Sequence, residues 1–461
     1  MSTPTRQVQR PAPGPAPRPG PRRAAAPPPA SVTGNEIAVG IALGALVAAL
    51  WPAFLALRGP GPVQLTVLTA HVAGMLAGYG VIVLVGLMSR APALERGVGA
   101  DRLARWHGWG GRAVVVLVVV HAWAAVAAWA GGRQESAGVA FWHVLRLPWL
   151  IAATLGTALF LVVAVVSARA ARRRMSYERW HAIHLLVYIA VALSFVHQLA
   201  GPDLAGHRVL QVLWALLYAH VFTLLLQHRL LTPLRNAGRH RFRVAAVVQE
   251  GPGVVSIVIE GRDLLALHAE AGQFFRWRFL TPDFWATAHP FSLSAPPTNT
   301  SLRLTVKALG DSSSRMQRLE PGTWVLAEGP YGAMTAARRT HRNVLLVGGG
   351  VGITPMRALF ETLPLAPGQD LLLLYRAKAA EDLLFHAELE GIARRRGARV
   401  QYLVGDAVGR FTPELFLRLV PDLQDRDVYL CASPAMSAAV RQCLRDAGLP
   451  KAQFHEERFA F

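Results

Sequence analysis

The chain has 461 residues, 52% of them apolar, and a formal net charge of +20, so more than one domain is expected. Only two cysteines are present, Cys431 and Cys443, both late in the chain, which excludes a cysteine-ligated iron–sulfur cluster and argues against a disulfide framework. The arginines cluster in the N-terminal tail and beside apolar segments, where lipid headgroups and insertion topology explain them, so no nucleic-acid partner is expected. Residues 1–34 are rich in Pro, Ala and Arg and too poor in bulky apolar side chains to offset their ordering entropy. They read as a disordered tail able to touch anionic lipid.

Six apolar segments follow, at about 36–57, 64–88, 106–130, 147–168, 180–200 and 209–228. Each is long enough to cross a hydrocarbon core of roughly 30 Å. The connections alternate in charge. Arg90, Arg96, Arg102 and Arg105 follow the second segment, Arg169, Arg172, Arg173, Arg174 and Arg179 the fourth, and Arg229, Arg235, Arg239, Arg241 and Arg243 the sixth. The opposite connections hold little beyond Arg58, Arg133 and Arg208. The positive-inside rule then predicts a multi-pass protein of the cell membrane with both termini cytoplasmic, and spans three and five running outward.

Ionisable groups inside a membrane span need a partner or a cofactor. Span three carries His107 and His121, and span five carries His181, His184 and His197. At about 1.5 Å per residue, the separations 107→121 and 184→197 are both roughly 20 Å. Two histidines on each of two helices, matched in depth, suit two stacked bis-imidazole haem b sites: His107 with His184 near the inner face, and His121 with His197 near the outer. His181 is a rival inner ligand. The helical phase is good for the first spacing, about 40° off, and poor for the second, about 140° off, so span five must tilt, bulge or present its two sites from different flanks. Arg112 lies between the histidines of span three, suited to a haem propionate or to snorkelling. His71, His143 and His220 lack a matching pair and read as structural, with His143 placed where an external acceptor would arrive.

Beyond about residue 238 the texture changes. FRVAAVVQ, VVSIVIE, FFRWRF and LRLTVKAL are short, alternating and separated by Gly and Pro turns, which predicts a small antiparallel β-barrel over 238–338. From 340 to 461 the pattern is strand–loop–helix, predicting an α/β domain on a parallel sheet. Its first unit, VLLVGGGVGITPMRALF (344–360), joins a buried strand to a helix through a Gly-rich turn. Such a turn lets backbone approach a pyrophosphate that the helix N-terminus then receives, so Gly348, Gly349, Gly350, Gly352 and Thr354 mark a dinucleotide site. The fold class expected is therefore a six-helix transmembrane bundle (35–230), a β-barrel and an α/β nucleotide-binding domain.

Together these motifs resemble the ferric reductase and NADPH oxidase superfamily, a six-helix haem domain fused to a ferredoxin–NADP reductase-type dehydrogenase. The resemblance covers about residues 64–461 and includes RWHAIHLLVY (179–188) in span five. HPFSLS (289–294) is similar to the family's flavin motif, which implies His289, Pro290, Phe291 and Ser292 against the FAD, with Ser292 near its reactive edge. VKALGDSSSRM (306–316) resembles the second flavin segment and implies Lys307, Gly310, Ser312 and Ser313 at the FAD phosphates. EGPYG (328–332) is like the turn that closes the barrel over the cofactor. YRAKAAEDLLFHAEL (375–389) is like the segment where nucleotide choice is made. There Arg376 and Lys378, with Arg410 of VGRFT, suit a 2′-phosphate and favour NADPH over NADH. CASPAM (431–436) is similar to the family's Cys-Gly-Pro-x-Met segment and implies Cys431 beside the nicotinamide, although Ala432 and Ser433 depart from it. Phe461, the last residue, is implied to stack on the flavin.

The function implied is a membrane oxidoreductase taking electrons from cytoplasmic NADPH through FAD and two haems to an external small molecule. Molecular oxygen giving superoxide and a ferric chelate giving ferrous iron both fit. The alternative is an electron-transfer subunit serving a redox protein partner in the membrane or outside it.

Overall fold

A computed structural model describes residues 32–168, 175, 177–405 and 411–456. Residues 1–31 of the tail, Arg169, Arg172, Arg173, Arg174, Arg410 and Phe461 lie outside the described residues. The membrane part is built from α1 (Gly34–Arg58), α2 (Leu65–Leu87), α3 (Pro92–Val98), α4 (Ala100–Arg133), α5 (Ala137–Leu145), α6 (Leu150–Ser167), α7 (Tyr177–Leu185), α8 (Val187–Ala200), α9 (Arg208–Leu226) and α10 (Thr232–His240). Six stretches among these are long and apolar enough to cross a membrane: 34–58, 65–87, 100–133, 150–167, 179–200 and 208–240. Most of their apolar surface faces outward, as it must where lipid is the solvent; the inward face gathers Met75, Val81, Ile82, Val114, Val191, Trp214 and Tyr218.

The fifth span is broken. Leu186 separates α7 from α8, and the backbone there tightens to three-residue bonds, Leu186 N–H to Ile183 O and Ile189 N–H to Leu186 O. The break lies between His184 and His197. The sixth span passes through a π-turn at Gln227–Leu231 and leads directly into the soluble part.

Six strands follow: β1 (Arg243–Gly251), β2 (Val254–Glu260), β3 (Phe274–Phe279), β4 (His289–Ser292), β5 (Ser301–Lys307) and β6 (Val325–Tyr331), with a short helix α11 (Asp311–Met316) before β6. They form two three-stranded antiparallel sheets, β1-β2-β5 and β4-β3-β6. This corrects the expected barrel. The sheets face each other across Val255, Ile257, Phe275, Trp277, Phe279, Leu302 and Leu304, and isolated bridges at Arg243–Trp324 and Leu293–Leu304, not continuous ladders, join their edges. β4 is four residues long and contains Pro290, which offers no ladder donor, and it meets β5 just past its end, at Leu293–Leu304.

The C-terminal part holds β7 (Asn343–Gly349), α12 (Ile353–Thr362), β8 (Leu371–Ala377), α13 (His386–Arg396), β9 (Arg399–Val404), α14 (Pro413–Leu419), β10 (Arg426–Cys431), α15 (Pro434–Asp446) and β11 (Phe454–Glu456). Its five parallel strands run in the order β11-β10-β7-β8-β9. The chain reverses direction across the sheet between β7 and β10, which opens a crevice at their C-terminal ends. Two apolar layers cover the sheet faces, one around Leu346, Phe360 and Leu373, the other around Leu345, Val428 and Leu444.

Candidate functional site

Three constellations carry the chemistry. The first is inside the bundle. His107 and His184 face each other with ring centroids 6.0 Å apart, and His121 faces His197 at 5.9 Å. The α4 rings are held from behind: Nδ1 of His107 donates to the carbonyl of Leu84 at 3.2 Å, and Nδ1 of His121 to that of Ala70 at 2.7 Å. A carbonyl only accepts, so each of these rings carries its proton on Nδ1 and keeps the Nε2 lone pair. Trp180 stacks on His184 at 5.2 Å, and its indole N–H donates to the Ser167 hydroxyl, which also meets His184 Nδ1 at 3.2 Å. His181, the rival, has its ring against Trp180 at 6.3 Å. Arg112 is exposed on α4, His71 pairs with Asp203 at 2.8 Å, and His143 pairs with Glu135 at 2.8 Å.

The second constellation is the face of β4-β3-β6 turned away from its own core. Register pairs Phe274 with Ser292 and Tyr331, and Arg276 with Pro290 and Glu328, and residues directly opposite share a face. Ser292 is buried, yet its hydroxyl has no hydrogen-bond partner among the described residues, and neither has Nε of Arg276. Both are buried donors on the same strand pair. His289 and Phe291 pair with Trp277 and Phe275 on the other face, and the His289 ring meets Phe284 edge-on at 5.8 Å. Ser313 spends its hydroxyl on the backbone of Leu309 and Gly310, and Lys307 reaches Asp382 at 3.8 Å. Ser312 sits half-buried in the same turn.

This face is also where the membrane part attaches. Arg90, between α2 and α3, places its guanidinium 3.0 Å from Glu328 and 5.3 Å from the centre of the Tyr331 ring. It is buried and held at φ +63°, a left-handed backbone that costs a non-glycine residue about 1 kcal/mol. Next to it, burial pushes the Glu95 carboxyl up to about 7 against the charges of Arg90 and Arg229. Arg338 adds bonds to the carbonyls of Arg96 and Gly97. Sequence reading counted Arg90 only as a topology charge and missed Arg276. The signal for Arg276 was present in FFRWRF, whose alternation puts both arginines opposite the aromatic core.

The third constellation is the β7/β10 crevice. A Cβ added at Gly352 would lie 2.1 Å from the Cys431 carbonyl oxygen, and one at Gly349 would lie 2.3 Å from Met436 Sδ. Gly350 has φ +54° and open space where its Cβ would be. Gly348 pairs with Cys431 across the two strands, and the Thr354 hydroxyl donates to Val351 O at 3.0 Å, capping the loop. Cys431 itself is fully buried, among Ile353, Leu346 and Tyr429. Arg376 lies opposite Gly349 at the end of β8 with Nε buried and unpartnered among the described residues, and Lys378 is exposed. Glu388 ties this part to the flavin-side sheets. It accepts both guanidinium nitrogens of Arg303 and Nε of Arg357; burial alone would raise its carboxyl, but the two arginines outweigh that and hold it below the usual range.

Fold and site thus define a membrane-embedded oxidoreductase with a nucleotide-binding reductase part. Residues 73–195 match the family described as ferric reductase like transmembrane component, and residues 346–442 match the oxidoreductase NAD-binding domain. A ferric reductase like transmembrane part and an oxidoreductase NAD-binding part are thus joined in one chain. Among curated proteins it is similar to the glycine betaine monooxygenase reductase subunit of Chromohalobacter salexigens, 29% identical over 241 residues, 48% of this chain and 64% of that protein. The chain thus spans just under two thirds of that relative's length. It is also similar to ferredoxin–NADP reductase B of Sorangium cellulosum, 28% identical over 235 residues, 47% of this chain and 96% of the relative. Among solved structures, the FAD/NAD-binding domain of nitric oxide dioxygenase from Vibrio cholerae aligns at 22% identity, 47% of this chain and 97% of that one, with a TM-score of 0.39.

Proposed function

We propose that the chain takes reducing equivalents from NADPH at its α/β part and delivers them across the membrane to an external acceptor, molecular oxygen or a ferric chelate. When bound, FAD would supply the conversion of a hydride into single electrons, and two b-type haems a one-electron path through the hydrocarbon core. The observation that carries the reading is the spacing of the histidine pairs. Two metal–nitrogen bonds of about 2 Å, with about 1 Å from each nitrogen to its ring centre, come to about 6 Å. Both pairs meet that value, at 6.0 and 5.9 Å.

His107 and His184 would be the ligands on the side where Arg90 meets Glu328, and His121 and His197 those on the opposite side. Ser292 and Arg276 would donate to the flavin on the sheet face that abuts the membrane part, which keeps the path to His107 short. Pro290 lies on that face, while His289 and Phe291 support the strand from its core side; Lys307, Gly310, Ser312 and Ser313 would stand toward the phosphate end. The open left-handed turn at Gly350 would receive a pyrophosphate, and the unsatisfied Nε of Arg376, with Lys378, would favour a 2′-phosphate and hence NADPH, NADH being the weaker substrate. Cys431 would stand under the nicotinamide. The dehydrogenase side is then cytoplasmic, and both termini with it. Delivery to a protein partner is the second reading; a similar protein is a reductase subunit of a monooxygenase.

The test is an anaerobic visible spectrum of the purified, FAD-loaded protein before and after NADPH, with air or ferric chelate admitted afterwards. Low-spin ferrous bands that one acceptor quickly reoxidises are expected. Flavin bleaching without haem reduction would overturn the coupled path and bring the partner reading forward. Changing His121 or His197 to Leu is expected to halve the haem content and leave NADPH–dye turnover intact.

A further inference from the structure

The hydrogen bonds behind the α4 histidines come from one element. Leu84 and Ala70, both on α2, are 14 residues apart in the sequence, the same interval that separates His107 from His121. In an antiparallel helix pair, equal intervals bring both carbonyls level with both rings.

The two acceptors become available in different ways. Leu84 lies in the last turn of α2, where the Met88 N–H turns to Val85 and Gly86 instead, leaving the Leu84 carbonyl among the orphan groups of a helix end. Ala70 lies inside the helix, where a side chain at the i+4 position would cover its carbonyl from His121. That position is Gly74. A Cβ there would stand 2.7 Å from Nδ1 and 2.9 Å from Cε1 of His121, closer than atoms can approach. The ring has little freedom to retreat, since Nδ1 is anchored on Ala70 and the ring faces His197.

We infer that α2 is the orienting element for both α4 histidines and that Gly74 is a positioning residue for His121. The inference rests on the reading of the four histidines as haem ligands. Holding Nδ1–H on a carbonyl fixes the tautomer and the ring plane, so that Nε2 is presented to the metal and its basicity is raised. Gly74 acts only at the His121 pair, so changing it discriminates between the two sites.

The experiment compares the full chain with Gly74→Ala, Gly74→Val and, as a control on the same helix, Gly86→Ala, whose Cβ would meet Val221 Cγ1 at an ordinary 3.6 Å. Haem per chain is measured by pyridine haemochrome, and the low-spin species by electron paramagnetic resonance, with His121→Leu and His107→Leu as references for the missing signals. Gly74→Val is expected to fall from two haems per chain to one and to lose the signal that His121→Leu loses. Gly74→Ala is expected to shift that same signal, and Gly86→Ala to match the unmodified chain. Two haems with both signals unchanged in Gly74→Val would overturn the inference. Absence of haem from the unmodified chain would instead overturn the ligand reading beneath it. If Gly74→Val loses its flavin and aggregates, Gly74→Ala decides on the same signal: a shift supports the assignment and an unchanged spectrum overturns it.

Discussion

Replacing Arg90 by Met tests how the two halves are held in register. The Arg90 and Glu328 side chains are 10% and 13% exposed, so this is a buried ion pair. Removing one partner leaves an uncompensated buried charge, at a cost of about 3–5 kcal/mol. Arg278 stands 3.7 Å from Glu328 and recovers part of that, which puts the loss near the lower figure, about 3 kcal/mol. If the loss falls on docking, the docked-to-undocked ratio drops about a hundredfold. The expected phenotype is a selective one: NADPH–dye turnover and flavin content unchanged, and NADPH-driven haem reduction slowed by a large factor in stopped flow. Glu328→Met should do the same. The double variant, which removes both charges of the pair, should recover part of the rate, because a buried pair replaced by apolar groups is often neutral. Haem reduction at the unmodified rate in both single variants would refute the role given to this junction.

The nucleotide loop allows a contrast within three residues. Gly352→Ala drives a Cβ against the Cys431 backbone at 2.1 Å and should break β7/β10 packing, read as loss of flavin and of all NADPH oxidation. Gly350→Ala costs about 1 kcal/mol for its left-handed backbone, so the fold should persist while the NADPH KM rises. Arg376→Ala should raise the KM for NADPH by about 10–100-fold, the worth of one charge-assisted hydrogen bond, and leave that for NADH nearly unchanged; equal effects on both would remove the 2′-phosphate assignment. Glu388 carries a depressed carboxyl, so its contribution is present above the ordinary value of about 4.3 and is lost as pH falls through the lower folded value. Flavin release followed from pH 6 downward should therefore show an acid step that Glu388→Gln removes, and a step of unchanged size in the variant would count against the Arg303–Glu388–Arg357 clamp.

Much was legible in the one-dimensional pattern because its physics is local. Unbroken apolar runs of this length are suited to cross lipid, and six of the helices have that length and composition. A buried strand, a Gly-rich turn and a helix were expected over 344–360, and β7 and α12 stand there. A 13-residue spacing on a 3.6-residue helix asks for a tilt, a bulge or two flanks in the fifth span, and the break sits at Leu186. Other features were beyond reach because they join residues far apart in the chain. Facing of His184 rather than His181 toward His107 depends on how α7 packs. The isolated bridges between the two sheets depend on how distant strands meet. Arg90 and Glu328 are 238 residues apart, and nothing along the chain couples an arginine between two helices to a glutamate in a turn motif. Gly74 is one small residue in an apolar helix until the fold brings His121 against it. Local sequence dictates which elements form and which chemistry they carry; the donors, acceptors and charges that aim that chemistry are chosen only when helices and sheets close on one another.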